Sequence, residues 1–395
     1  MTALDTTPRR SNINAFALVG IMMIAACLRA PFTSMAPLLE QLKLVFELNA
    51  LQAGLLITLP LICFAIVSPI AASIGRSLGL ERTLLMALVL IAVGICVRST
   101  GHVVMLYVGT AVVGSGIAVG NVLLPSFLKR DFPSKVGPLT ATYVLAMGVT
   151  AAAASALAVP LSHLSGNDWR YVAAITVILP ILASLAWFPQ SGRRAEQVTT
   201  ATRRKNGASV WRSPVAWQVT GFLGLDCLLY YVGVSWLPEI LRDAGFSAEQ
   251  AGTMHGVLLL ATAIPGLVLI PLITRLKDQR GLACGLALSI TSGLLGLLIA
   301  PGLAVIWILL FGFGAGGGLI LALAFLSLRT RNASDAATLS GMAQCIGYLL
   351  AAAGPPLIGG LHEALGSWGL PLVLCIVASG FMALVGIAAG KNRQL

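Results

Sequence analysis

The chain has 395 residues, of which 57% are hydrophobic and only 10% charged, and its mean hydropathy is +0.92. That composition excludes a water-soluble globular protein of this length, where about 25% of residues carry charge. The formal charge of +11 would suit a nucleic-acid partner, but the basic residues fall almost entirely in short segments between apolar runs, so no nucleic acid is implied.

Apolar runs of about 20 residues, enough to cross a hydrocarbon core of about 30 Å, are predicted near 15–39, 51–74, 83–99, 103–127, 138–160, 171–188, 214–238, 251–274, 282–299, 304–327, 337–360 and 369–389. The expected fold class is therefore an all-α integral membrane protein with twelve transmembrane helices. The first run is too long for the core of a signal peptide and has no small-residue cleavage site behind it, so it reads as a retained span. About halfway along it, in "AACLRAPFTSMAPLL" (25–39), stands Arg29. An unpaired arginine at mid-bilayer costs at least ~3 kcal/mol and stays protonated at physiological pH, so its presence needs a partner or a task.

Further along, "GTAVVGSGIAVG" (109–120) and "GFGAGGG" (312–318) are rich in glycine but lie inside apolar runs, with no preceding strand and no lysine. They read as close helix packing and not as phosphate loops. Prolines at 31, 60, 69, 125, 265 and 271 are expected to bend helices. All seven cysteines fall inside spans without a CxxC pair, so neither disulfide nor metal chemistry is implied, and no cofactor is expected.

The longest polar stretch, "SGRRAEQVTTATRRKNGASVWRS" (191–213), reads as a basic linker between a first domain at 1–190 and a second at 214–395. Across it a repeat of about 200 residues holds its offset at 198–202: Gln52 and Gln250, Pro69 and Pro271, Gly79 and Gly281, Gly114 and Gly314, Lys129 and Arg329. Pro37 and Pro238 are expected to close the first and seventh spans. Six spans per half is an even number, so the two six-helix bundles run in the same sense about an axis along the membrane normal. Lysine and arginine number 20 in the segments on the side of the termini and 4 in the opposite loops (Lys43, Arg98, Arg170 and Arg242), which orients both termini toward the cytoplasm.

The segments "GNVLLPSFLKRDFP" (120–133), "WRSPVAWQVT" (211–220), "WLPEIL" (236–241), "KDQRG" (277–281) and "LSGMAQCIGYLLAAAGPPL" (339–357) resemble the major facilitator superfamily, and within it the bacterial cyanate and 2-nitroimidazole transporter family. The resemblance implies a transporter of the bacterial inner membrane with a small-molecule substrate, no enzymatic activity and a monomeric default. The superfamily's loop signature is decayed in "ASIGRSLGLERT" (72–83), where Gly79 and Arg82 fit but Arg76 takes the usual aspartate position. Its second copy, "RLKDQRG" (275–281), keeps Asp278 and Gly281. These five are the candidate gating residues, with Asp278 expected to pair across the bundle. The span-four arginine and span-five G-P-x-x-G-G run of proton-coupled drug antiporters are not seen; Thr110 stands where the arginine would be.

Among the intramembrane polar groups, Arg29 is the candidate anchor for an anionic or nitro-bearing solute, because its planar fork suits two-oxygen acceptors. Asp226 is the one acid well inside a span; it is either a proton carrier or a fixed counter-ion to Arg29. Aligning Pro37 with Pro238 maps Arg29 onto Tyr230, one helical turn from Asp226, so an ion pair is within reach in at least one conformation. Tyr230, Gln344, Tyr348, Asn121 and Thr33 are candidates for shaping the pocket, while Tyr231 is expected to point elsewhere. Each could instead bond a neighbouring helix. His255 could titrate near neutral pH or be an interfacial residue. The reading is a secondary transporter that alternates access to a central site, with protons as the candidate coupling ion and lipid as its surroundings. Efflux of aromatic compounds and a solute-binding membrane sensor are the alternatives.

Overall fold

A computed structural model describes residues 10–48, 50–166, 168–192 and 210–395; most of the expected linker, 193–209, lies outside the described residues. Because hydrocarbon offers the backbone no hydrogen-bond partners, an apolar chain must satisfy its own N–H and C=O groups. The described residues do this as helices, labelled in chain order: α1 (Arg10–Cys27), α2 (Ala30–Thr33), α3 (Leu39–Phe46), α4 (Ala50–Leu78), α5 (Leu80–Arg98), α6 (Val103–Asp131), α7 (Val136–Leu164), α8 (Trp169–Ile175), α9 (Ile178–Ser191), α10 (Pro214–Asp243), α11 (Ala248–Ala261), α12 (Pro265–Arg275), α13 (Arg280–Ile299), α14 (Ala304–Leu328), α15 (Ala333–Leu365) and α16 (Gly369–Ala389). Eleven helical segments are long and apolar enough to cross a membrane, and a shorter apolar one covers Ala17–Thr33.

Three of the expected spans are broken. The first stops at Cys27 and resumes at Ala30, the sixth breaks between Ile175 and Ile178, and the eighth between Ala261 and Pro265. Proline accounts for two of these breaks: Pro31 and Pro265 stand in the first turns of the pieces that resume, where a missing N–H is tolerated. Pro60, Pro69 and Pro125, by contrast, lie within continuous helices. Pro238 does not close its span either, since α10 runs through it to Asp243. Proline there deprives the Val234 carbonyl of its usual donor, and His255 Nε2 of α11 takes its place at 3.1 Å. Pro125 likewise frees the Asn121 carbonyl, which accepts a hydrogen bond from Gln344 Nε2 at 2.9 Å.

The glycine runs do pack helices closely. A Cβ on Gly116 would meet Ile91 and the Ala87 carbonyl, and one on Gly314 would meet the Leu286 carbonyl at 2.6 Å. Helices from before and after the undescribed stretch meet through α4 and α6 against α15, and α7 against α12 and α14. Three hydrogen bonds between described residues join them: Gln344 to the Asn121 carbonyl, Ser327 Oγ to the Pro125 carbonyl at 2.8 Å, and Arg76 Nη1 to Thr338 Oγ1 at 2.9 Å. All three lie toward the face where α1 begins and α16 ends, the terminal face. On the same face Gly341 admits the Ser68 carbonyl, which a Cβ there would meet at 2.9 Å. The molecule is thus closed on the terminal face.

Replacing Gln344 by alanine removes one of these bonds and leaves a buried carbonyl unpaired, a change of ~1 kcal/mol. The expected result is an increase of about fivefold in alkylation, from the terminal face, of a cysteine placed at Ala72, which lines a vestibule there. In a Pro125→Ala background, where the helix can satisfy Asn121 itself, the increase should largely vanish.

Candidate functional site

Arg29 sits in the break between α1 and α2, with a backbone (φ −131°, ψ −43°) that belongs to neither helix. Thr33 Oγ1 bonds the Arg29 carbonyl at 3.2 Å and the Ala151 carbonyl of α7 at 3.1 Å, so this candidate pocket residue spends its hydroxyl on fixing the break. The half-buried Arg29 side chain reaches a cavity between the two sets of helices. Met147 of α7, Asp226, Tyr230 and Tyr231 of α10, Gly316 of α14 and Tyr348 of α15 share its wall. The space open to the centre of a water molecule is about 40 Å³, room for roughly three waters.

The guanidinium carbon of Arg29 lies 5.6 Å from the centroid of the Tyr230 ring, within cation–π range. The alignment of Pro37 with Pro238 therefore pairs residues that meet. Tyr231, expected to point elsewhere, lines the same cavity and packs edge-on against Tyr230 with ring centroids 5.2 Å apart. Adjacent helix positions differ by about 100°, and this cavity covers a wide enough arc of α10 to take both. Tyr348 packs edge-on against Phe64 of α4 at 4.7 Å, which fixes its ring across the junction of the two sets.

Asp226 is 1% exposed, and its Oδ1 finds no hydrogen-bond partner. It lies against Gly318 of α14, where a Cβ would collide with the carboxylate. None of the ion pairs between described residues joins Arg29 to Asp226. The two charges face one cavity without closing into a pair.

The structure does not bring the other candidates to this cavity. Gln344 is 1% exposed and points at Asn121 and Ser340, and Asn121 enters through its backbone carbonyl. His255 serves the Val234 carbonyl. Sequence reasoning missed Met147, Thr262 and Gly316 as lining residues; only the neighbouring break at Pro265 hinted that the eighth span reaches the site.

At the terminal face, Gly79 has φ +92°, a conformation that side chains resist, and it turns the chain from α4 into α5. Gly281 lies inside α13 with no such need, so the two copies of the loop differ. Among the described residues Asp278 does not pair across the bundle. It accepts from the Arg280 N–H and pairs with the Arg280 guanidinium, each at 3.3 Å, at the surface. Arg82 is exposed. The buried acid is instead Glu81, 3% exposed, which pairs with Arg130 of α6; its signal in the sequence is the acid of "GLER" directly behind the loop glycine. In the second half the buried Arg329 donates to Gln279 Oε1 at 2.5 Å and to the Ala389 carbonyl at 2.8 Å. Burial lowers its pKa to about 10, against an upward pull from the Asp278 charge.

Comparisons with known proteins agree with this architecture. The Major Facilitator Superfamily model matches residues 18–355. The chain is 48% identical over 378 residues to a 2-nitroimidazole transporter of Escherichia coli (strain K12), covering 96% of each protein. It is 26% identical over 367 residues to the cyanate transport protein CynX of the same organism, covering 91% of this chain and 94% of that protein. Its fold matches the structure of the transporter FucP in the outward conformation with a TM-score of 0.78 at 15% identity, over 97% of this chain and 100% of that one. A broken first helix, an arginine facing a cavity between two sets of helices, and a family match along most of the chain lead to one conclusion: this protein belongs to the major facilitator superfamily of transporters.

Proposed function

We propose that this transporter carries a small polar or anionic solute, nitroimidazole-like or cyanate-like, through the cavity at Arg29. In this reading two six-helix bundles, 1–190 and 214–395, rock about the site. The observation that carries it is the half-buried guanidinium, held over Tyr230 and engaged by no carboxylate among the described residues. A planar fork in that position suits an acceptor with two oxygens, and Tyr230, Tyr231 and Tyr348 offer flat walls to a ring. The transport of 2-nitroimidazole and of cyanate by relatives supports the same solute class.

Asp226 is the carboxylate in the cavity wall, and an ionised acid with a donorless buried oxygen is costly. The coupling step is protonation of Asp226: it removes the negative charge facing Arg29 and leaves the arginine to the solute. The terminal face is cytoplasmic, in the inner membrane of a bacterium, as the bias of basic residues supports.

Arg29→Ala should weaken binding of 2-nitroimidazole or cyanate to the purified protein by 10- to 100-fold, as expected for ~1.5–3 kcal/mol of charge-assisted hydrogen bonding. Titration calorimetry measures it, and unchanged affinity would remove Arg29 from the site and favour efflux of uncharged aromatic compounds. In proteoliposomes, Asp226→Asn should abolish solute accumulation driven by a pH gradient while solute exchange continues. Accumulation at the wild-type level would refute the carrier role.

A further inference from the structure

Arg98 was expected in an outer loop, but the structure buries it at the end of α5, 1% exposed. No acidic side chain pairs with it among the described residues. A buried cation without an anion is strongly destabilising unless other groups compensate it. Its Nη1 donates to the Pro31 carbonyl at 2.6 Å and its Nη2 to Thr176 Oγ1 at 3.2 Å, while Nε has no partner.

Both acceptors lie at helix breaks. Pro31 belongs to α2, only four residues long, so its carbonyl has no helical turn ahead to supply a backbone donor; Met35 N–H bonds Phe32 instead, and the Ser34 hydroxyl reaches the Pro31 carbonyl only at 3.4 Å, against 2.6 Å for Arg98. Thr176 caps α8 at the break in the sixth span. One side chain therefore ties the break that carries Arg29 to the break between α8 and α9. Thr33 holds the same break to α7 from its other side. Close approach of α6 makes the seat: a Cβ on Gly109 would meet the Arg98 Cβ at 2.5 Å.

We propose that Arg98 is a positioning residue of the transport site: by clamping the Pro31 carbonyl to Thr176 it sets the place of α2, and so the direction in which Arg29 enters the cavity. The proposal rests on Arg29 as the solute-binding group, but its geometric part is testable without any solute.

The test uses the full chain with its seven native cysteines replaced and one cysteine introduced, at Arg29 or, as reference, at Tyr348. Alkylation by a small methanethiosulfonate reagent is followed with Arg98 present, with Arg98→Ala and with the milder Thr176→Val. The expected result is at least a fivefold change in rate at position 29 in Arg98→Ala and a two- to fivefold change in Thr176→Val, with position 348 unchanged in both. Equal changes at both positions, or none at position 29, would overturn the proposal. In the protein with native Arg29, Arg98→Ala should raise the Kd for 2-nitroimidazole by about tenfold, and Arg98→Lys should recover part of that loss. Unaltered Kd alongside the altered rate at position 29 would retain the clamp and reject Arg29 as the binding group, which separates the two readings.

Discussion

In a bilayer each main-chain carbonyl without an intrahelical donor must find one in the protein, and this chain leaves several such carbonyls by placing proline within or between its helices. Pro125 frees Asn121, Pro238 frees Val234, and the short piece that begins at Ala30 leaves Pro31 without a successor. Gln344, His255 and Arg98, each from another helix, supply the missing donors. These bonds decide which polar groups are consumed by structure and which remain for a solute.

The division explains the composition of the cavity. Gln344, His255 and Thr33 are polar, intramembrane and near the right depth, yet Gln344 Nε2, His255 Nε2 and Thr33 Oγ1 are engaged by carbonyls, and Gln344 Oε1 is buried without a partner. Arg29, Asp226 and the three tyrosines owe nothing comparable to the backbone, and they are the ones that line the space. Arg29 reaches it because the helix stops beneath it: the break frees its backbone from regular geometry, and Thr33 and Arg98 hold that break from two sides. A continuous first helix would present residue 29 at an angle fixed by the helical repeat alone.

Much of the architecture could be read from the sequence, because hydropathy over about 20 residues is a strong signal and the offset repeat aligned Arg29 with Tyr230, which do meet. What escaped reading were matters of partner and direction. Proline 125 and proline 238 marked which carbonyls would be freed, but nothing in the sequence named the distant residue that would answer them, so Gln344 and His255 passed for site residues. Arg98, at the edge of an apolar run, passed for a loop cation because its acceptors, a carbonyl and a hydroxyl, leave no trace as opposite charge. Tyr231 was set aside on helical spacing, which holds for a flat neighbour but not for a cavity that wraps around α10. The loop signature misled in a similar way, since burial and pairing fell to Glu81 and not to the position where the aspartate usually stands.

The closure on the terminal face is of a strength that transport can use. Two of the three hydrogen bonds across it join neutral groups, each worth ~0.5–1.5 kcal/mol net, and the third, from Arg76 to a threonine hydroxyl, is worth ~1.5–3 kcal/mol. Their sum is a few kcal/mol, the range in which a minor conformation is still populated and a ligand can shift the balance. Beside them Gly341 packs on the Ser68 carbonyl and Ala72, and Gly137 of α7 packs on Ile273 of α12. Among the described residues, Arg98 with Pro31 and Thr176, and Glu81 with Arg130, find their partners within one set of helices, whereas Asp226 and Arg29 face each other across the cavity between the sets without pairing.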